Sequence, residues 1–264
     1  VQVVAHRGSS AAHAEHTLAA YELALEEGAD ALECDVRLTR DGVLVCVHDR
    51  TVDRTSDGRG VVSTLELADL AELDFASWKA SQGDQLLEAD WDEADRDKSR
   101  VLTLERLVRL ALDYERPVEL HIETKHPTRY GGLVERALID LLERYALARP
   151  MTRSVSRVTV MSFAATSLRR IHAMAPSVPT VLLMERVPVR YRDGSLPLRV
   201  QIAGPSLAVL RAQPGYVDRV QAAGNRVHVW TVDEPADIAY VLNLGVDAVI
   251  SNHPRRVLDQ LGRV

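Results

Sequence analysis

ALECDVRLTRDGVLVCVHDR, residues 31–50, puts two carboxylates, a turn and an imidazole into one short run. Glu33 and Asp35 are two apart in an apolar stretch, so both project from the same face of a strand. Two anions on one face of such a strand repel each other and are costly to bury unless a cation or proton offsets them. Val43–Val47 follows that strand too soon for a crossover helix, and Asp41-Gly42 within TRDG is a strong hairpin signal. Folding the chain about that turn sets His48 roughly opposite Cys34, beside Glu33 and Asp35.

Outward from this hairpin, β-branched runs alternate with amphipathic stretches, the pattern of βα units and a parallel sheet. Eight strands are expected at Gln2–Ala5, Ala31–Val36, Val118–Thr124, Val155–Met161, Pro179–Met184, Leu207–Leu210, Arg226–Thr231 and Val246–Ser251. The helices between them are expected at Leu18–Glu27, Leu104–Glu115, Gly132–Tyr145, Ala164–Ala173, Leu196–Ala203, Gly215–Ala223, Pro235–Leu244 and Arg255–Leu261. Eight such units fit a closed (β/α)8 TIM barrel of the α/β class better than an open sheet, and residues 1–264 read as one domain. Residues 51–100 are poorly periodic, with a capping-box sequence at Ser63–Glu66 and an acidic run between Asp84 and Asp97. They read as a small inserted cap after the second-strand hairpin.

The strand VELHIETK repeats the pattern of the first carboxylate pair, with His121, Glu123 and Lys125 on one face. Glu33, Asp35 and Glu123 supply three hard oxygen donors suited to Mg²⁺ or Ca²⁺, and Mn²⁺ fits the same donors. His6 and Arg7 end the first strand at the same rim, where barrel sites gather their residues. An imidazole there, with His48, supplies an acid/base pair near neutral pH. Arg7 and Lys125 supply fixed positive charge for phosphate oxygens. Trp230 and Phe163, near other strand ends, are candidate walls for a substrate. His16 is close enough to the first loop to line the site, whereas His13, His172, His228 and His253 have no comparable support.

Composition sets limits. The chain has 264 residues, 46% hydrophobic and 27% charged, with a formal net charge of -6. This is an ordinary globular balance, and its sign argues against nucleic-acid binding, which needs a concentrated positive surface. No apolar stretch reaches the roughly 20 residues of a spanning helix, so no stable membrane insertion is expected. The expectation is a soluble, cytoplasmic protein, with secretion the alternative if a signal upstream of Val1 has been removed. Cys34 and Cys46 lie in no metal-binding spacing and read as free thiols. Protein partners leave no mark that can be read.

VAHRGSS at 4–10, LECDVRLTRDGVLVCVHDRTVDRTSDGRG at 32–60, ELHIETK at 119–125, MSF at 161–163, VHVWTVDEP at 227–235 and GVDAVISNHP at 245–254 together resemble the glycerophosphodiester phosphodiesterase family. The resemblance implies a barrel with an insertion after the second-strand region, one divalent metal, and release of glycerol 3-phosphate and an alcohol from a small glycerophosphodiester. It maps metal binding onto Glu33, Asp35 and Glu123, acid/base roles onto His6 and His48, phosphate contacts onto Arg7 and Lys125, and a substrate wall onto Trp230. The chain departs at AEHT, 14–17, where the family commonly shows PENT; a titratable ring, His16, stands in place of an amide.

Rival readings keep part of this site. A phospholipase D-like or cyclic-phosphate-forming lyase acting on lysophospholipids would use an apolar slot, for which the cap offers Phe75, Trp78 and Trp91. Glycoside hydrolysis also uses two carboxylates but leaves Arg7, Lys125 and the third carboxylate unexplained. A catalytically silent phospho-ligand-binding protein would keep the cations without turnover.

Overall fold

The computed structural model describes residues 1–80, 97–126, 128, 131–149, 156–197 and 199–263. Among them, eight parallel strands close into a barrel: β1 (Gln2–His6), β2 (Ala31–Leu38), β4 (Glu119–Thr124), β5 (Val158–Ser162), β6 (Thr180–Met184), β7 (Ile202–Pro205), β8 (Arg226–Val229) and β9 (Ala248–Ser251). They neighbour one another in that order, and β1 pairs with both β2 and β9, which shuts the ring. The ninth strand, β3 (Leu44–Cys46), pairs antiparallel on β2 with Val36 opposite Cys46 and Leu38 opposite Leu44. That register extended by two residue pairs sets His48 across from Cys34, as the turn signal implies.

The period-two alternation of each strand sorts its side chains between two cores. Inward residues Val4, Ala31, Met161, Val181, Leu183, Ile202, Ala248 and Ile250 form a plug inside the barrel. Outward residues such as Leu32, Cys34, Val36, Leu120, Ile122 and Val160 pack against the helices at Leu18–Glu26, Leu104–Asp113 and Leu133–Arg144. Continuing the inward series in steps of two along β1, β2 and β4 reaches His6, Glu33, Asp35, Glu123 and Lys125. The polar groups therefore crown an apolar plug at the C-terminal rim.

One βα unit differs from its expected bounds. The segment expected as a helix at Leu196–Ala203 ends in a strand, Ile202–Pro205, and the segment expected as a strand at Leu207–Leu210 is the helix Leu207–Ala212. Gly204 and Pro205 read locally as breakers. In the barrel Gly204 occupies an inward position where a Cβ would come within 2.8 Å of Leu183 Cδ2 and Val181 Cγ1, so the close approach of β6 selects glycine. Ser206 then caps the helix by accepting from the Val209 amide, a better N-cap than any residue near Leu196.

The described part of the insertion has its own small core of Val45, Val47, Val52, Val62, Leu70 and Phe75. It holds the helices Leu67–Ala71 and Ser77–Ala80 and a 3₁₀ turn at Val62–Thr64. The acidic run from Asp84, with Trp91, lies outside the described residues except for Asp97, and so does Val155. Among the described residues, no helix is long and apolar enough to cross a membrane.

Beneath the site, the rings of His121 and His228 stack inside the barrel, centroids 5.3 Å apart. Both are buried. Burial, then the neighbouring His121 and Arg226, hold His228 well below the usual histidine range. An imidazole whose folded pKa is depressed binds fewer protons in the folded than in the unfolded state, so it costs stability as pH falls below about 6.5. His228→Leu is expected to reduce the loss of unfolding free energy between pH 6.5 and 5.0 by up to about 1.4 kcal/mol per pH unit. Urea unfolding across that range measures it, and an unchanged slope would refute the assignment.

Candidate active site

Glu33, Asp35 and Glu123 each place a carboxylate oxygen within 4.8 Å of the other two, the one group of metal-ligating type found among the described residues. All three are buried. Arg7 Nε and His16 Nε2 each approach Asp35 Oδ2 at 3.0 Å, and Lys125 Nζ approaches Oδ1 at 3.2 Å. Burial alone would raise Asp35, but the His16 hydrogen bond and the charges of Arg7 and Lys125 hold it well below the usual range. Glu33 is pushed well up by burial and by Asp35, and Glu123 is pushed up to about 8 by the same two causes. Three carboxylates so close cannot all stay charged on the strength of two cations.

A divalent cation fits this donor set. The oxygens are hard, convergent and dry, and Asp35 Oδ1 makes no hydrogen bond although Lys125 is near it. Such an ion would restore the charge that crowding removes from Glu33 and Glu123.

Glu33 and Glu123 open into a cavity of about 220 Å³ that also receives His6, Arg7, His48 and Lys125. His6 Nδ1 lies 2.7 Å from Asn252 Oδ1. The Asn252 amide donates to Asp233 Oδ2 at 2.7 Å, which fixes its oxygen toward His6, so Nδ1 carries the proton and Nε2 is left as an acceptor. Burial, then Arg7, lower His6 to about 4. His48 Nδ1 lies 2.6 Å from Asp49 Oδ1, and burial is the main cause of its lowered pKa. The two imidazoles thus share one arrangement, each anchored through Nδ1.

Phe163 and Trp230 form one wall, their rings edge to face at 5.4 Å. Trp230 donates to the Gly204 carbonyl at 2.7 Å, while Phe163 is 43% exposed. The structure therefore brings together all nine residues singled out in the sequence. His16 departs from its expected place: it is buried between Asp35 and the Tyr21 hydroxyl (2.8 Å) and does not line the cavity. Its ring makes both bonds while Tyr21 donates to the Glu33 carbonyl only when doubly protonated, whereas burial lowers its pKa. The neutral ring leaves one of these bonds unmade.

Four residues given no role from sequence also hold the site. Asn252 orients His6. Arg37 donates to the His48 carbonyl through Nε (3.0 Å) and Nη2 (2.7 Å). Arg54 grips Asp49 at 2.6 Å and both oxygens of Glu15 at 2.9 and 2.7 Å, and Glu15 in turn takes Arg7 at 3.1 Å. Burial would raise Asp49 and Glu15, but hydrogen bonds from Arg54 help hold each at about 2. Asn252 follows directly on β9 as His6 ends β1, a strand-end signal that was there to be read; Arg37 and Arg54 had no spacing to mark them.

Residues 6–256 match the model of the glycerophosphoryl diester phosphodiesterase family. The chain is 49% identical over 255 residues to a probable glycerophosphodiester phosphodiesterase of Mycobacterium tuberculosis, covering 96% of this chain and 90% of that protein. It is 32% identical to the glycerophosphodiester phosphodiesterase of Bacillus subtilis, covering 96% and 84%. Its fold superposes with a TM-score of 0.84 on an Oleispira antarctica phosphodiesterase in complex with sn-glycerol-3-phosphate, at 26% identity and covering 99% and 97%.

If the three carboxylates hold a divalent ion, Mg²⁺, Ca²⁺ or Mn²⁺ at about 100 times Kd adds about 2.7 kcal/mol to stability. That raises the midpoint of thermal unfolding by roughly 5–10 °C for a chain of this size. Asp35→Asn is expected to remove the shift. A wild-type midpoint indifferent to millimolar amounts of all three ions would sink the metal assignment.

Proposed function

The chain belongs to the glycerophosphoryl diester phosphodiesterase family, and from that premise we propose that it hydrolyses small glycerophosphodiesters to glycerol 3-phosphate and an alcohol, using Mg²⁺ or Ca²⁺, with Mn²⁺ able to substitute. One observation carries the reading: two Nδ1-anchored imidazoles, two cations and the carboxylates of Glu33 and Glu123 face one cavity, with Asp35 buried directly against them. The product-bound Oleispira antarctica phosphodiesterase of the same fold supports the choice of product.

Arg7 and Lys125 bind the nonbridging phosphate oxygens and neutralise them as charge builds in the crowded transition state. His6, with Nε2 unprotonated, takes the proton of the attacking hydroxyl, which is a water, or the 2-hydroxyl of the glycerol, whose cyclic phosphate a water then opens to glycerol 3-phosphate. His48 returns a proton to the departing alcohol oxygen, and the phosphate anion beside it favours its charged form. Trp230 and Phe163 shelter the glycerol end from water. A divalent ion on Glu33, Asp35 and Glu123, when bound, supplies Lewis-acid stabilisation of phosphate charge.

The lysophospholipid rival gains no support from the described residues of the cap. Phe75 is buried in the core of the insertion and Arg54 lies over the Trp78 ring, so neither lines the cavity, and Trp91 is outside the described residues. Two buried free cysteines, Cys34 and Cys46, are compatible with a reducing compartment, and we place the protein in the cytoplasm on that ground.

Chelated protein is expected to release no glycerol 3-phosphate from glycerophosphodiesters until an ion is restored. His6→Ala and His48→Ala should each lower kcat by about 10²–10⁴-fold, and full turnover in both variants would overturn the acid/base scheme. Arg54→Gln should lower kcat by about tenfold with little change in KM, because it loosens Asp49 behind His48 without touching the phosphate. An unchanged kcat in that variant would leave Arg54 a merely structural role.

A further inference from the structure

A second and larger cavity, about 390 Å³, opens on the same rim, between the β2–β3 hairpin, the 3₁₀ turn of the insertion and the segment after β4. Lys125 is common to its wall and to that of the reaction cavity. Arg37, whose guanidinium holds the His48 carbonyl, is part of the same partition. A group attached to phosphorus on the side away from the glycerol therefore has this cleft next to it.

The cleft has a definite chemical character. Arg37, Arg50, Lys125 and His126 line it with four hydroxyl-bearing side chains, among them Ser63 and Thr128, and Leu38, Val61, Val62 and Val134 give it an aliphatic floor. No carboxylate and no Phe, Tyr or Trp ring lines it among the described residues. The nearby acid, Glu135, is buried behind His126 at 3.2 Å and is also paired with Arg170 at 3.1 Å, so its charge is already matched. A quaternary ammonium is bound by aromatic faces, and this surface has two guanidinium groups in their place. Guanidinium forks match the geometry of phosphate and carboxylate, and hydroxyl side chains suit a polyol.

We propose that this cleft is the head-group site and that it selects diesters whose alcohol is a polyol bearing a further anionic group, over diesters of choline. The assignment rests on the phosphodiesterase reading above. Hydrolysis occurs at the neighbouring cavity and is unaltered by it; the cleft contributes affinity and orientation for the leaving alcohol.

The test compares kcat/KM for glycerophosphoinositol 4-phosphate, glycerophosphoinositol and glycerophosphocholine with metal-loaded protein. The expected order places the phosphorylated polyol at least about tenfold above the choline diester, with glycerophosphoinositol between them. Arg50→Glu, an exposed position, should shrink the first-to-last ratio about fivefold or more, and Arg50→Gln should shrink it by less. Equal or better turnover of the choline diester, or a ratio indifferent to both Arg50 variants, overturns the head-group site and leaves the phosphodiesterase reading standing. No glycerol 3-phosphate from any of the three, in protein shown to be folded and metal-loaded, overturns both.

Discussion

The charge on Asp35 is the feature around which the barrel mouth is organised. Moving a carboxylate into a dry interior costs several kcal/mol, and a cation about 3 Å away returns roughly 4 kcal/mol or more at the effective dielectric of a protein site. Arg7 and Lys125 offset that cost while leaving water at a cost of their own, and His16 adds a hydrogen bond. The same two cations cannot also keep Glu33 and Glu123 charged, which explains why those two pKa values rise while that of Asp35 falls. The triad is consequently a stable fold element that still has an electrostatic deficit. That deficit is what a divalent ion would satisfy.

The rest of the structure keeps these groups in register. Parallel pairing sets Glu33 beside His121 and Asp35 beside Glu123 across β2 and β4, and pairing of His6 with Glu33 sets β1 at the same height. A shift of one residue in any of these strands would turn its polar groups outward into the helical shell, so the apolar plug and the site fix each other. Gly8 illustrates how tight the rim is. Its φ is +84°, and a Cβ there would lie 2.6 Å from the Ala20 carbonyl carbon, so the turn carrying His6 and Arg7 past the first helix accepts no side chain.

The hairpin was legible because Asp41-Gly42 announces it locally, and the grouping of Glu33 with Asp35 and of Glu123 with Lys125 was legible because period-two spacing carries polar groups along one strand face. What escaped depends on partners distant in sequence. Gly204-Pro205 looks like a break until β6 is laid against it. Asn252 lies 246 positions from His6, and Arg54 acquires its meaning only when the insertion folds back on Glu15 and Asp49. His16 looked like a pocket residue from its place in the loop. Its fate was decided by the room beside Asp35 and by Tyr21, neither of which has a local sequence signal.

Chemistry and selectivity are carried by different parts of the chain. His6 is oriented by Asn252 and Asp233 at the end of the last barrel strand, a support built from the closed sheet itself. His48 is oriented by Asp49, Arg54 and Arg37, which belong to the hairpin and the insertion. In the proposed scheme the base is therefore fixed by the barrel and the acid by the element that also walls the larger cleft. Because the acid acts on the departing alcohol, the insertion that meets the head group also positions the proton the head group needs. Changes in the insertion can then retune the leaving group while the metal-ligating triad, Arg7 and His6 stay in the geometry that the barrel's closure imposes.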